Sequence, residues 1–172
     1  MRTGTTVVVS ALMAGLTVAL PASTVAQAAD APQLERINPP GLSLPQGYAQ
    51  VVTAEGGGRW VFVAGQGGIA ADGSVPEDLG EQARIMFEKV AIALTAADAS
   101  PADVVRIVLY IVDLENIDPS PIYAAVRAFF PPEARPASSV VGVSALAVPG
   151  MAVEIDVTAL TAATGASATR ED

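Results

Sequence analysis

The sequence predicts an α+β domain in which a mixed β-sheet carries two helices on one face. Three observations lead there. Residues Val104–Val112 form a nearly unbroken apolar run, as expected of a strand covered on both faces. Met151, Val153, Ile155 and Val157 alternate with Ala152, Glu154, Asp156 and Thr158, giving a strand with one apolar face and one face bearing two carboxylates. Between and before these runs, apolar residues recur at spacings of three and four, the period of a helix buried along one stripe.

In chain order, residues 1–28 resemble an export signal: Arg2 gives a positive end, residues 7–20 an uncharged apolar run, and Ala26-Gln27-Ala28 a small-x-small cleavage site. The apolar run is short of the roughly 20 residues a membrane span requires, so cleavage after Ala28 is expected rather than anchoring. That places the mature protein outside the cytoplasm, secreted or periplasmic, with no stable membrane association. Residues 29–47, with Pro32, Pro39, Pro40 and Pro45, read as an ordered lead-in containing one short extended piece, residues 34–37.

Residues 48–53 and 60–64 read as two strands joined through Glu55-Gly56-Gly57-Gly58-Arg59, a predicted hairpin. The glycine-rich loop that follows, Gly65-Gln66-Gly67-Gly68, lacks the Lys-Ser/Thr of a phosphate cradle and is expected to admit a close backbone or a small ligand. Pro76-Glu77-Asp78 opens the first helix, with Leu79, Ala83, Met86, Val90, Ala93 and Ala97 as its stripe and Glu81, Arg84, Glu88 and Lys89 on a solvated face. Ser100-Pro101-Ala102-Asp103 carries a capping box before the strand Val104–Val112. The odd-numbered face of that strand should take the helices, while Arg106 and Tyr110 on the even face suit a subunit contact. The second helix starts at Pro119 or Ser120, buries Ile122, Val126, Phe129 and Phe130, and stops at Pro131-Pro132. Two strands, from Ala137 and from Met151, are expected to meet across Pro149-Gly150, which would set Glu154 beside Ser138. Residues 161–172 read as a disordered tail.

Composition narrows the chemistry. Of 172 residues none is histidine or cysteine, which removes imidazole acid/base catalysis, thiol nucleophiles and the usual zinc sites; no metal and no cofactor is expected. Without Arg2 the chain holds 8 basic and 18 acidic residues, a net charge of −10 that repels nucleic acid. Lys89 is the one lysine, and its place among helix charges makes it a poor Schiff-base amine.

The motifs Val63-Ala64-Gly65-Gln66, Val112-Asp113-Leu114, Ala128-Phe129-Phe130, Arg135-Pro136-Ala137 and Val153-Glu154-Ile155, with Tyr48 ahead of them, resemble the Rid proteins, reactive-intermediate deaminases also called the YjgF or endoribonuclease L-PSP family. The resemblance spans residues 48–160 as a Rid-like domain. It implies a chorismate-mutase-like (Rid) fold, a homotrimer with a central barrel, and small-molecule clefts between subunits. It also implies that Glu154 holds the hydrolytic water and that Tyr48, Gly65 and Gln66 line the cleft. In deaminating members an arginine after Pro-Ala clamps the substrate carboxylate; here that position is Ser138, whose hydroxyl supplies no charge. Arg135, three residues earlier, is the candidate substitute.

Two functions remain open. One is hydrolytic deamination of an imine, enamine or related small carbonyl compound, with Glu154 positioning water and Ser138 hydrogen-bonding the substrate. The other is a trimeric binding protein that has kept the cleft and lost the chemistry. A simple carboxylated imine is expected to bind weakly in either case, and Tyr123 is read as a packing residue.

Overall fold

The computed structural model describes residues 31–163, so the expected export signal 1–28 and most of the expected tail lie outside the described residues. Its strands are β1 (Gln33–Ile37), β2 (Val51–Glu55), β3 (Arg59–Gly67), β4 (Val104–Val112), β5 (Ala137–Val143) and β6 (Val153–Thr161). Its helices are α1 (Leu79–Ala96) and α2 (Ser120–Phe129). The main sheet runs β3-β6-β4-β5 and is mixed: β4 and β5 are parallel, the other pairs antiparallel.

The apolar patterns settle as expected. Ile107, Leu109 and Ile111 of β4 and Val153, Ile155 and Val157 of β6 are buried beneath the helices, together with Met86, Val90 and Leu94 of α1 and Ile122 and Val126 of α2. Phe87 of α1 stacks on Phe129 at 4.7 Å, and Phe130 meets both edge-on, which locks the two helices together. Asp78 caps α1 by accepting from Glu81 N at 2.7 Å, and Ser100 with Asp103 forms the expected capping box. Arg84 pairs with Glu81 and Glu88 on the exposed side of α1.

Three expectations about pairing are corrected. β2 makes no hairpin with β3; it pairs antiparallel with β1, from Gln33↔Glu55 to Ile37↔Val51, and the three glycines carry the chain from that small sheet into the main one. Gly56 takes the turn at φ 95°, in the left-handed region that glycine adopts without strain. The Gly65-Gln66-Gly67 stretch is the end of β3, kept in the sheet by a register shift between Val63 and Gln66. Finally, β5 and β6 do not meet: β4 lies between them, because β5 joins its far edge in parallel.

Two residues behave differently from their sequence context. Lys89 is half-buried, and its Nζ donates to Gly67 O at 3.2 Å, tying α1 to β3. Gln82 is 2% exposed within the α1 stripe. Its amide donates to the carbonyls of Pro76 (2.7 Å) and Gly150 (3.1 Å) and accepts from Ala152 N (2.8 Å), so a buried polar side chain is fully satisfied by holding the entry to β6.

Candidate functional site

Register decides where each candidate residue points. Ser138 pairs with Ile107, whose side chain is buried under the helices, so Ser138 belongs to the helical face at the β5 edge. Glu154 pairs with Tyr110 and Gly67, on the opposite face. One chain therefore does not bring Ser138 and Glu154 together, contrary to the expectation that the carboxylate sits beside Ser138.

On the helical face, Ser138 opens into a cleft of about 290 Å3 between β5 and α2. Leu109, Val126 and Val140 give it an apolar wall, and Tyr48, Tyr123 and Arg127 share the rim. Tyr48 reaches Ser138 because Ala49 bridges to Ala137, with Ala49 N donating to Pro136 O at 2.9 Å. Tyr123, Val126 and Arg127 stand at i, i+3 and i+4 on α2 and so present one face to the cleft. Tyr123 packs against the core as expected and also edges the cleft; Arg127 was not a candidate from sequence, because a charge on a helix reads as solvated even where its spacing from Tyr123 was the available signal.

Arg135 lies elsewhere. It lines a neighbouring hollow with Arg36, Asn38 and Glu133, on the far side of Tyr48, and its Nε is buried without a partner among the described residues. The carbonyl of Arg135 accepts from Arg36 Nε at 3.1 Å, anchoring the chain just ahead of β5.

On the other face the sheet has no helical cover. Trp60 and Phe62 are stacked there at 6.3 Å and are 53% and 75% exposed, and Arg106, Tyr110 and Asp156 line a groove of about 410 Å3. Tyr110 donates to Asp156 Oδ2 at 3.1 Å; that bond, the nearby negative charge and partial desolvation all hold the phenol proton, raising the Tyr110 pKa above its ordinary value. Glu154 is half-buried at one end of this face and accepts no side-chain hydrogen bond from the described residues. Its carboxylate lies over Gly65: a Cβ there would fall 2.8 Å from Glu154 Cδ, closer than real atoms approach, so the glycine leaves the room the carboxylate occupies. Gln66, next along, folds back on the Ala64 carbonyl at 3.0 Å. Among the described residues no group of acidic side chains is arranged to hold a metal ion.

The sequence profile of the endoribonuclease L-PSP family matches residues 42–161, the whole of the main sheet and both helices. The chain belongs to this family. The fold agrees: a Yersinia pestis protein of unknown function from the conserved Rid family, YyfB, is 33% identical with a TM-score of 0.65, covering 74% of this chain and 98% of its own. A Mycobacterium tuberculosis member of the YjgF/YER057c/UK114 family is 32% identical with a TM-score of 0.52, over 66% of this chain and 86% of the other. The Escherichia coli YjgF gene product is 28% identical with a TM-score of 0.53, over 66% and 87%. Comparison with curated proteins found no match. Membership of the Rid/YjgF family therefore rests on the profile and on solved relatives, and it fixes the mixed sheet with two helices as the family fold.

Proposed function

We propose that this Rid protein is exported, assembles as a homotrimer, and hydrolyses a small imine, enamine or related carbonyl compound at a cleft shared by two subunits. The observation that carries the reading is the Glu154 carboxylate, free of side-chain partners and seated over Gly65 on the sheet face that association would cover. A site that uses both Glu154 and the Ser138 cleft needs two copies of the chain, since one copy holds them on opposite faces.

In this reading Glu154 takes a proton from a bound water as the water oxygen attacks the carbon of the C=N bond. The proton passes to nitrogen, the C–N bond of the resulting carbinolamine breaks, and a carbonyl compound and ammonia leave, with one water consumed. General-base help of this kind contributes about 10²- to 10⁴-fold. The acidic surface and the lack of histidine support a small molecule over RNA as the ligand.

The test is ammonia release from an imine generated in situ by oxidation of L-leucine. Wild-type protein should accelerate release over the spontaneous rate, and Glu154→Gln should lower that acceleration by about a hundredfold. If wild type adds nothing to the spontaneous rate, hydrolysis of carboxylated imines is refuted. Ser138 in the arginine position favours the second reading in that case, a trimeric small-molecule-binding protein.

A further inference from the structure

The cleft above Ser138 holds one charged side chain, Arg127 of α2. No carboxylate of the described residues lies within salt-bridge distance of it, whereas Arg84 on α1 is paired twice. The hydroxyls around it are also uncommitted. Of the described tyrosines, Tyr110 is the one whose hydroxyl is engaged, with Asp156 on the other face; Tyr48, Tyr123 and Ser138 make no side-chain hydrogen bond to a described residue. Three hydroxyl-bearing residues and an arginine thus line an apolar-walled space of ligand size with no side-chain hydrogen bond or ion pair among them.

The position of Arg127 is set by its surroundings. Its stem crosses Gly47, whose absent side chain makes room: a Cβ on Gly47 would lie 3.3 Å from Arg127 Cγ and 4.0 Å from Cδ. The loop that brings Tyr48 to Ser138 therefore also beds the arginine against the cleft. A purely structural role is available, because a cation in the last turn of a helix complements the macrodipole. That role gives no reason for the free hydroxyls opposite it.

We infer that Arg127 is the anion-holding, specificity-determining residue of this cleft, selecting a ligand that carries one carboxylate on a small apolar body. The inference rests on reading this cleft as the ligand half of the shared site. It reverses the expectation that loss of the arginine at position 138 leaves the site without a cation: the charge enters from the helix instead of the strand. Arg127 approaches from α2, on the opposite wall from Ser138, so the carboxylate lies toward the Tyr123 side and the apolar body toward Leu109 and Val140.

The experiment compares binding of 4-methylpentanoate and 4-methylpentanamide, equal in shape and different in charge, by calorimetry on the full mature protein. Wild type should bind the acid at least about fivefold tighter than the amide, with the preference shrinking as salt rises. Arg127→Gln should abolish the preference while the melting temperature of the unliganded protein stays within a degree or two, as expected of an exposed side chain. Arg127→Lys should keep part of it, because the charge remains and the planar fork is lost. Equal binding of acid and amide by wild type, no binding of either, or a preference unchanged in Arg127→Gln would each overturn the inference. Turnover is not needed for the measurement, so a protein that selects the acid through Arg127 and releases no ammonia would refute hydrolysis and leave this assignment standing.

Discussion

Ser138 and Glu154 stand on opposite faces of one sheet, with β4 between their strands. The stacked, exposed Trp60 and Phe62 supply apolar area for association through the open face, and the proposed shared site requires that association to bring one copy's Glu154 to the Ser138 cleft of the next. If the site is shared, two variants each inactive for a different reason should complement. Arg127→Gln carrying Tyr48→Phe damages the cleft; Glu154→Gln damages the water-holding half. Mixing the two after subunit exchange should restore activity to about a quarter of the sites, the fraction that pairs two intact halves in random assembly. Sedimentation should show trimers at micromolar concentration; a stable monomer, or no recovery in exchanged mixtures, would sink the shared-site reading.

Gly65 should be as sensitive as Glu154 itself. Alanine there places a methyl group in the space of the Glu154 carboxylate, and the half-buried glutamate must swing away. Gly65 shows no left-handed backbone, so the effect is steric. Gly65→Ala should cost about 1–3 kcal/mol of stability at most and reduce imine hydrolysis nearly as far as Glu154→Gln does. Hydrolysis rates measured beside urea unfolding would separate the two effects, and wild-type activity in Gly65→Ala would show that Glu154 does not act from this position.

Gln82→Leu tests what holds β6 in place. The substitution keeps volume but leaves Ala152 N without its acceptor and the Pro76 and Gly150 carbonyls without their donor. Each buried group left unpaired costs about 1–3 kcal/mol, and three part-buried groups lose their partner here, so a loss of about 3 kcal/mol or more is expected in chemical denaturation. A change under about 0.5 kcal/mol would mean that water replaces the amide.

The alternating pattern of β6 and the apolar run of β4 made their burial legible, because a strand with a period of two has one way to face a core. Pairing was not legible in the same way. The tri-glycine turn suggests a local hairpin, yet β2 finds its partner in β1, a short piece within a proline-rich lead-in whose hydrogen bonding is set by position and not by pattern. The β5 and β6 strands are neighbours in sequence, and only the parallel register of β5 on β4 shows that they are separated in space. Glu154 was proposed through a motif, and the place of Arg127 at the cleft was not legible, since no periodicity tells whether a helical arginine faces water or a cleft until the neighbouring loop, here at Gly47, is in place.

The open face should carry a pH signature. In a Tyr48→Phe, Tyr123→Phe protein, Tyr110 is the remaining tyrosine, and its hydrogen bond to Asp156 raises its pKa in the folded state. A pKa raised on folding gives stability that is fully present below the unfolded tyrosine value near 10 and is lost as pH rises through the folded value. Absorbance titration of the phenolate should therefore show ionisation above pH 10, moving down in Asp156→Asn. An unshifted curve in both proteins would show that the Tyr110–Asp156 bond does not persist in solution.

The last prediction places a second guanidinium in the cleft. Ser138→Arg should set a charge on the β5 wall facing Arg127 on the α2 wall, with a ligand carboxylate able to sit between them. With Arg127 present the two cations repel when the cleft is empty, so hydrolysis of the leucine-derived imine should rise modestly, by about tenfold or less, equivalent to about 1.4 kcal/mol of transition-state stabilisation. In the Arg127→Gln background that repulsion is gone and the lost charge is replaced, so the same substitution should produce a larger gain and restore the preference for acid over amide. Adding Glu154→Gln to either protein should return hydrolysis to background while leaving acid binding intact, because the carboxylate grip and the water belong to different residues. Activity that survives Glu154→Gln, or an Arg127→Gln protein that Ser138→Arg does not rescue, would show that positions 138, 127 and 154 do not serve one site.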